Sequence, residues 1–196
     1  MKKYIAEAFG TFVLTLMVAL SLAGSFTVST PILAVLTLGL FVYAIGNISG
    51  CHINPALTFG LWSIKKISGS EMVKYIVAQF IGAGVAYFLF LLINHGPNNG
   101  IVLNNSFAIG FAEFLGMFFY GFLIAAVFYG KTPSYLSGII VAGSLLLGIA
   151  IASLLGSNGL LNPAVAFGIG SFNVMYLLGP AVGSILGMQT YRYFLD

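Results

Sequence analysis

Apolar positions in this chain run in long stretches instead of alternating or following one helical face. Six stretches, near residues 4–25, 32–49, 73–94, 107–129, 134–155 and 172–194, are each long enough for a membrane-crossing helix. A helix needs about 20 residues to cross the ~30 Å hydrocarbon core of a bilayer. The pattern therefore predicts six transmembrane helices. Two shorter apolar runs, residues 55–63 and 163–171, cannot cross, and each opens on Asn-Pro. Asn54 and Asn162 suit the N-cap, and Pro55 and Pro163 suit the first helical position, where the missing N–H would be unpaired anyway. Each run predicts a half-helix that enters the bilayer and returns to its own side. The predicted fold class is all-α transmembrane, a single domain over residues 1–196.

Composition strengthens this picture: 60% of the 196 residues are hydrophobic and 6% charged, far below the charge of a soluble domain. Lys2 and Lys3 before an apolar stretch resemble the start of a signal peptide. The stretch is too long for one, contains Glu7 and lacks a clear cleavage site, so it is read as the first span. Cys51 is the single cysteine, which excludes an intrachain disulfide and a thiolate metal cluster; no metal or cofactor is expected.

The charge distribution predicts topology. Lys2 and Lys3 precede the first span, Lys65, Lys66 and Lys74 lie between the second and third, Lys131 between the fourth and fifth, and Arg192 near the end. Segments 25–31, 95–105 and 156–161 contain neither Lys nor Arg. The positive-inside rule then places both termini in the cytoplasm, with the cell membrane as the expected location. Scattered cations make no nucleic-acid surface. Tyr4, Trp62, Tyr75, Tyr191 and Tyr193 are expected near the inner interface, and His95 in a solvated outer loop.

Landmarks recur along the chain. Ile5 to Gly10 reads IAEAFG and Phe111 to Gly116 reads FAEFLG, while Asn54-Pro55-Ala56 returns as Asn162-Pro163-Ala164. The small residues Ala78, Gly82 and Ala86 correspond to Gly179, Gly183 and Gly187, a spacing that lets membrane helices pack closely. The repeats run from about 1 to 96 and from about 105 to 196. Each holds an odd number of spans, so the second enters from the opposite side and the two half-helices meet near the midplane.

Irregular backbone at that depth is tolerated where it lines a water-filled path. Gly50, Cys51, His52, Ser157, Asn158 and Gly159 are the candidates, with the Asn54 and Asn162 amides as donors to a passing oxygen. His52 is expected to brace its loop. The Cys51 thiol either faces the lumen or is buried and inert. Glu7 and Glu113 lie inside spans, where an unpaired charge costs at least ~2.5 kcal/mol, so each needs partners.

Ala6-Glu7-Ala8-Phe9-Gly10-Thr11, the run from Ser49 to Ala56 (SGCHINPA), Ala78-Gln79 and the second Asn-Pro-Ala together resemble the major intrinsic protein family, the aquaporins and aquaglyceroporins. The resemblance covers the whole chain. It implies a right-handed bundle of six helices and two half-helices, assembled as a homotetramer with one pore per subunit. It also implies that Glu7 and Glu113 accept hydrogen bonds from the re-entrant loops, with Gln79 in support.

The family's outer constriction usually has an arginine three residues after the second Asn, where this chain has Val165. The other constriction positions, counted without gaps, are Ala34, Ala150 and Gly159. A one-turn slip in the second or fifth span would replace Ala34 or Ala150 by another side chain, such as Leu38. These small or apolar residues predict a wide filter that passes water with glycerol, urea or neutral metalloid hydroxides. A proton- or ion-coupled transporter is the alternative, and its coupling groups would have to come from Glu7, Glu113 and His52. There is no Gly-x-Ser-x-Gly elbow, and an enzyme is not expected.

Overall fold

The computed structural model describes residues 1–24, 26–94, 96 and 106–196; His95 lies outside the described residues. Its elements are α1 (Lys2–Ala23), α2 (Thr30–Ser49), α3 (Pro55–Ser63), α4 (Gly69–Ile93), α5 (Phe107–Phe128), α6 (Ser137–Leu154), α7 (Pro163–Gly168) and α8 (Val174–Tyr193). A 3-10 turn, Ser134–Leu136, leads into α6. No strand occurs among the described residues.

Boundaries follow local chemistry. α4 begins about a turn before its apolar run because Ser68 and Glu71 form a capping box, in which each side chain takes up the other's backbone N–H. α3 and α7 start where Asn54 and Asn162 accept hydrogen bonds from the amides of the following turn. α7 stops at Gly168, earlier than its apolar run suggests, as the Ser171 amide turns back to the Ala166 carbonyl and Gly170 takes φ +72°.

Five of the helices, α1, α2, α4, α5 and α6 with its leading turn, are long and apolar enough to cross a membrane. The sixth expected span, α8, has 20 residues but is diluted by Pro180, Gln189 and three glycines. Those glycines serve packing. A Cβ at Gly179, Gly183 or Gly187 would run into the carbonyl oxygens of Gly110, Phe114 and Phe118, so α8 lies directly on the α5 backbone. The first repeat has the same contact, with Gly82 of α4 against the carbonyl of Ala8 in α1. Pairs α1–α4 and α5–α8 are the most extensive in the molecule, and α2–α6 joins the two repeats. α3 packs on α8 and α7 on α4, so each half-helix is enclosed by the opposite repeat.

Candidate functional site

The two re-entrant loops meet at the Asn pair. Asn54 Oδ1 accepts from the Ala56 and Leu57 amides, and Asn162 Oδ1 from those of Ala164 and Val165. With its oxygen committed to its own helix, each side chain turns its amide nitrogen across the junction. Asn54 Nδ2 donates to the Leu161 carbonyl and Asn162 Nδ2 to the Ile53 carbonyl, both at 2.9 Å.

The loops before the Asn residues adopt backbone that L-residues avoid. Cys51, Ile53 and Leu161 have φ of 50°, 37° and 51°, and Gly50 and Gly159 are also left-handed at 85° and 63°. Such conformations cost about 1–3 kcal/mol at a non-glycine residue and persist only where the surroundings hold them. Two buried carboxylates do so. Glu7 Oε1 accepts from Ser49 Oγ (2.7 Å) and the His52 amide (2.9 Å), while its Oε2 accepts from the Ile53 amide (2.7 Å) and Gln79 Nε2 (2.8 Å). Glu113 accepts from Ser157 Oγ (2.5 Å) and the amides of Leu160 (3.0 Å) and Leu161 (2.7 Å). Hydrogen bonds to a carboxyl oxygen are well suited to hold these amides in place.

A second layer fixes the carboxylates. Gln79 also donates to Thr58 Oγ1 at 3.0 Å, and Thr58 lies 3.2 Å from His52 Nδ1. The His52 ring packs against Tyr75 and Phe128. Tyr75, expected at the inner interface, is buried and donates to the Ser49 carbonyl at 2.7 Å. Its counterpart Tyr176 accepts from Ser157 Oγ at 3.4 Å and Asn158 Nδ2 at 3.1 Å. The tyrosines carried no sequence signal, because a Tyr in an apolar run reads equally well as an interface anchor.

Two cavities open on either side of this junction. One, of about 300 Å³, is lined by Leu14, Val18, Ala34, Leu38, Tyr120, Leu145, Ile149 and Val165, with His52, Ile53, Asn54, Asn158, Gly159, Leu160 and Asn162 among the loop residues. The other, of about 390 Å³, is lined by Val42, Asn47, Gly50, Cys51, Ile124, Phe128 and Ser137 among others. Cys51 is buried and borders this second cavity.

The structure departs from the expected site at two positions. Ala150 lies on the exposed face of α6, while its neighbour Ile149 is buried and lines the first cavity. The connection from α6 to α7, residues 155–162, turns through Gly156 and Gly159, with φ of 87° and 63°. Ser157 lines neither cavity, since its hydroxyl is spent on Glu113. Ala34, Gly159 and Val165 do share the first cavity, together with Leu38.

The sequence pattern of the family described as major intrinsic protein matches residues 1–191. The chain belongs to the major intrinsic protein family. It is 38% identical over 176 residues to aquaporin AqpM of Methanothermobacter thermautotrophicus, covering 78% of this chain and 70% of that protein. It is 31% identical to aquaporin Z of Bradyrhizobium diazoefficiens, over all of this chain and 94% of that one. Among solved structures it shares its fold with the aquaglyceroporin from Plasmodium falciparum, with a TM-score of 0.76 at 22% identity over 99% of this chain and 96% of that one. Membership of this family makes the protein an integral membrane channel, a passive path for water and small solutes and not an enzyme.

Proposed function

We propose that the channel has a wide, apolar filter that passes small uncharged solutes, glycerol, urea or neutral metalloid hydroxides, along with water. The observation that carries this reading is Val165. It lies three residues after Asn162, is 4% exposed and borders the first cavity, whose lining includes no Lys or Arg among the described residues. An arginine there would narrow the path and add an electrostatic barrier, and a valine does neither. Ala34 and Gly159 leave further room, while Leu38 and Ile149 supply branched aliphatic walls. Carbon-bearing solutes lose less on leaving water for such a wall than a fully polar species does.

Glu7 and Glu113 line neither cavity and are occupied by loop donors. His52, which borders the first cavity, is buried with its ring against Tyr75 and Phe128 and its Nδ1 3.2 Å from Thr58 Oγ1. This favours passive flux over a coupled carrier. The cation distribution supports cytoplasmic termini, with the cavity at Thr30, Pro31 and Asn158 facing outward and the cavity at Ser134 and Ser137 facing inward. A homotetramer in the cell membrane, each subunit one domain of two repeats, completes the reading by family resemblance.

Stopped-flow light scattering on proteoliposomes tests the filter. Glycerol and urea should enter faster than into protein-free vesicles, and Val165→Arg should suppress both more than water. Rapid water flux with both solutes excluded, in the natural protein and the variant alike, would overturn the reading.

A further inference from the structure

Tyr120 lines the first cavity and carries a hydroxyl group, whereas Leu14, Leu38 and Leu145, which line it too, are aliphatic. It lies about two turns beyond Glu113 on α5, hence on the same helix face. Its counterpart in the first repeat, Leu14, lies equally far beyond Glu7. Both line the first cavity. One turn past Tyr120, Ile124 already borders the second cavity. The same step separates Leu38 from Val42 on α2, and Leu145 from Val141 on α6. Tyr120 therefore stands at the waist between the two cavities, level with Leu38 and Leu145.

Tyr120 is 1% exposed, yet its hydroxyl oxygen has no hydrogen-bond partner among the described residues. The unpartnered polar atoms sealed from solvent among those residues are Thr15 Oγ1, Thr132 Oγ1, Asn173 Nδ2 and Ser184 Oγ. Tyr120 Oη is not one of them, so it reaches the cavity surface. A buried tyrosine hydroxyl normally finds a partner. Here the available partner is whatever occupies the lumen.

We propose that Tyr120 is a specificity-determining residue whose hydroxyl exchanges a hydrogen bond with the permeating molecule at the waist. The inference rests on the channel reading above and deepens it. At the junction, Asn54 and Asn162 offer only N–H donors to a permeant, because their oxygens serve their own half-helices. A tyrosine hydroxyl both donates and accepts. Solutes with two or more hydrogen-bonding groups, such as polyols and urea, engage an asparagine and Tyr120 together. Water, with one oxygen, gains less.

The test compares the natural protein with Tyr120→Phe and Tyr120→Leu in proteoliposomes, after size-exclusion and thermal-unfolding checks that each variant folds. Tyr120→Phe removes one oxygen and leaves the aromatic ring itself unchanged. Glycerol and urea permeability should fall about fivefold and water permeability about twofold, as loss of one ordinary hydrogen bond implies. Should the natural protein conduct water alone, the wide-filter reading fails, and Tyr120 is judged on the twofold fall in water flux. Unchanged or higher flux in Tyr120→Phe, for every molecule that the natural protein conducts, overturns the proposal. Faster flux in Tyr120→Leu with Tyr120→Phe silent overturns it too, leaving the ring as a steric element only.

Discussion

The side-chain amide nitrogen of Asn162 lies 2.9 Å from the carbonyl oxygen of Ile53, so the second half-helix is tied to the loop that carries the first. Asn54 and Leu161 make the reciprocal tie. Each Asn thus caps its own helix and fastens the other loop. Asn54→Ala and Asn162→Ala should each cost about 2 kcal/mol, roughly half from the cap and half from the cross-junction bond. Once one tie is gone the other loop is already loosened, so the double variant should cost less than the sum. Thermal unfolding in detergent gives the comparison, and strictly additive losses would show that the two ties act independently.

The carboxylates differ in how many donors they receive. Glu7 takes four, including Gln79, while Glu113 takes Ser157 and two backbone amides. Position 180, the counterpart of Gln79, is a proline. Glu→Gln places an NH2 group against one set of donors, leaving at least one buried amide unpaired at a cost of about 1–3 kcal/mol. Glu7→Gln should therefore lower the unfolding midpoint more than Glu113→Gln. Equal shifts, or the reverse order, would mean that Gln79 adds nothing to the support of the first loop.

Much of this support was legible because it repeats. Glu7 and Glu113, like Asn54 and Asn162, stand in the same order in both halves, and a polar residue inside a span demands a partner. Side-chain facing was harder to read. α6 is apolar on nearly every side, so no stripe distinguishes Ile149 from Ala150. The role of Tyr75 was hidden for a related reason: its partner, the Ser49 carbonyl, is backbone.

The opposite facing of Ile149 and Ala150 on α6 has a direct functional consequence. Ile149→Trp fills the first cavity beside Gly159, whereas Ala150→Trp points away from it. Ile149→Trp should reduce solute flux at least about tenfold, because conduction through such a filter is set by its free diameter. Ala150→Trp should leave flux within about twofold. Stopped-flow measurements on the two variants separate the alternatives, and a block by Ala150→Trp alone would restore the ungapped count.

Close packing of α8 on α5 offers a sharper test of how the sixth helix is held. At Gly183 an added Cβ meets the Phe114 carbonyl oxygen, and at Gly82 it meets that of Ala8, both backbone atoms that cannot swing aside. Gly143, on the exposed face of α6, has no atom within 4 Å of the same built Cβ. Alanine reduces the backbone freedom of the unfolded chain at every one of these sites, worth about 0.5–1 kcal/mol, so the sign of the outcome turns on space. Gly183→Ala and Gly82→Ala should each destabilise by about 1–3 kcal/mol through overpacking. Gly143→Ala should be neutral or slightly stabilising. Unfolding midpoints in detergent for the three variants decide the matter: if Gly183→Ala were as well tolerated as Gly143→Ala, the helices would have to separate readily, and glycine would not be what seats α8 against α5.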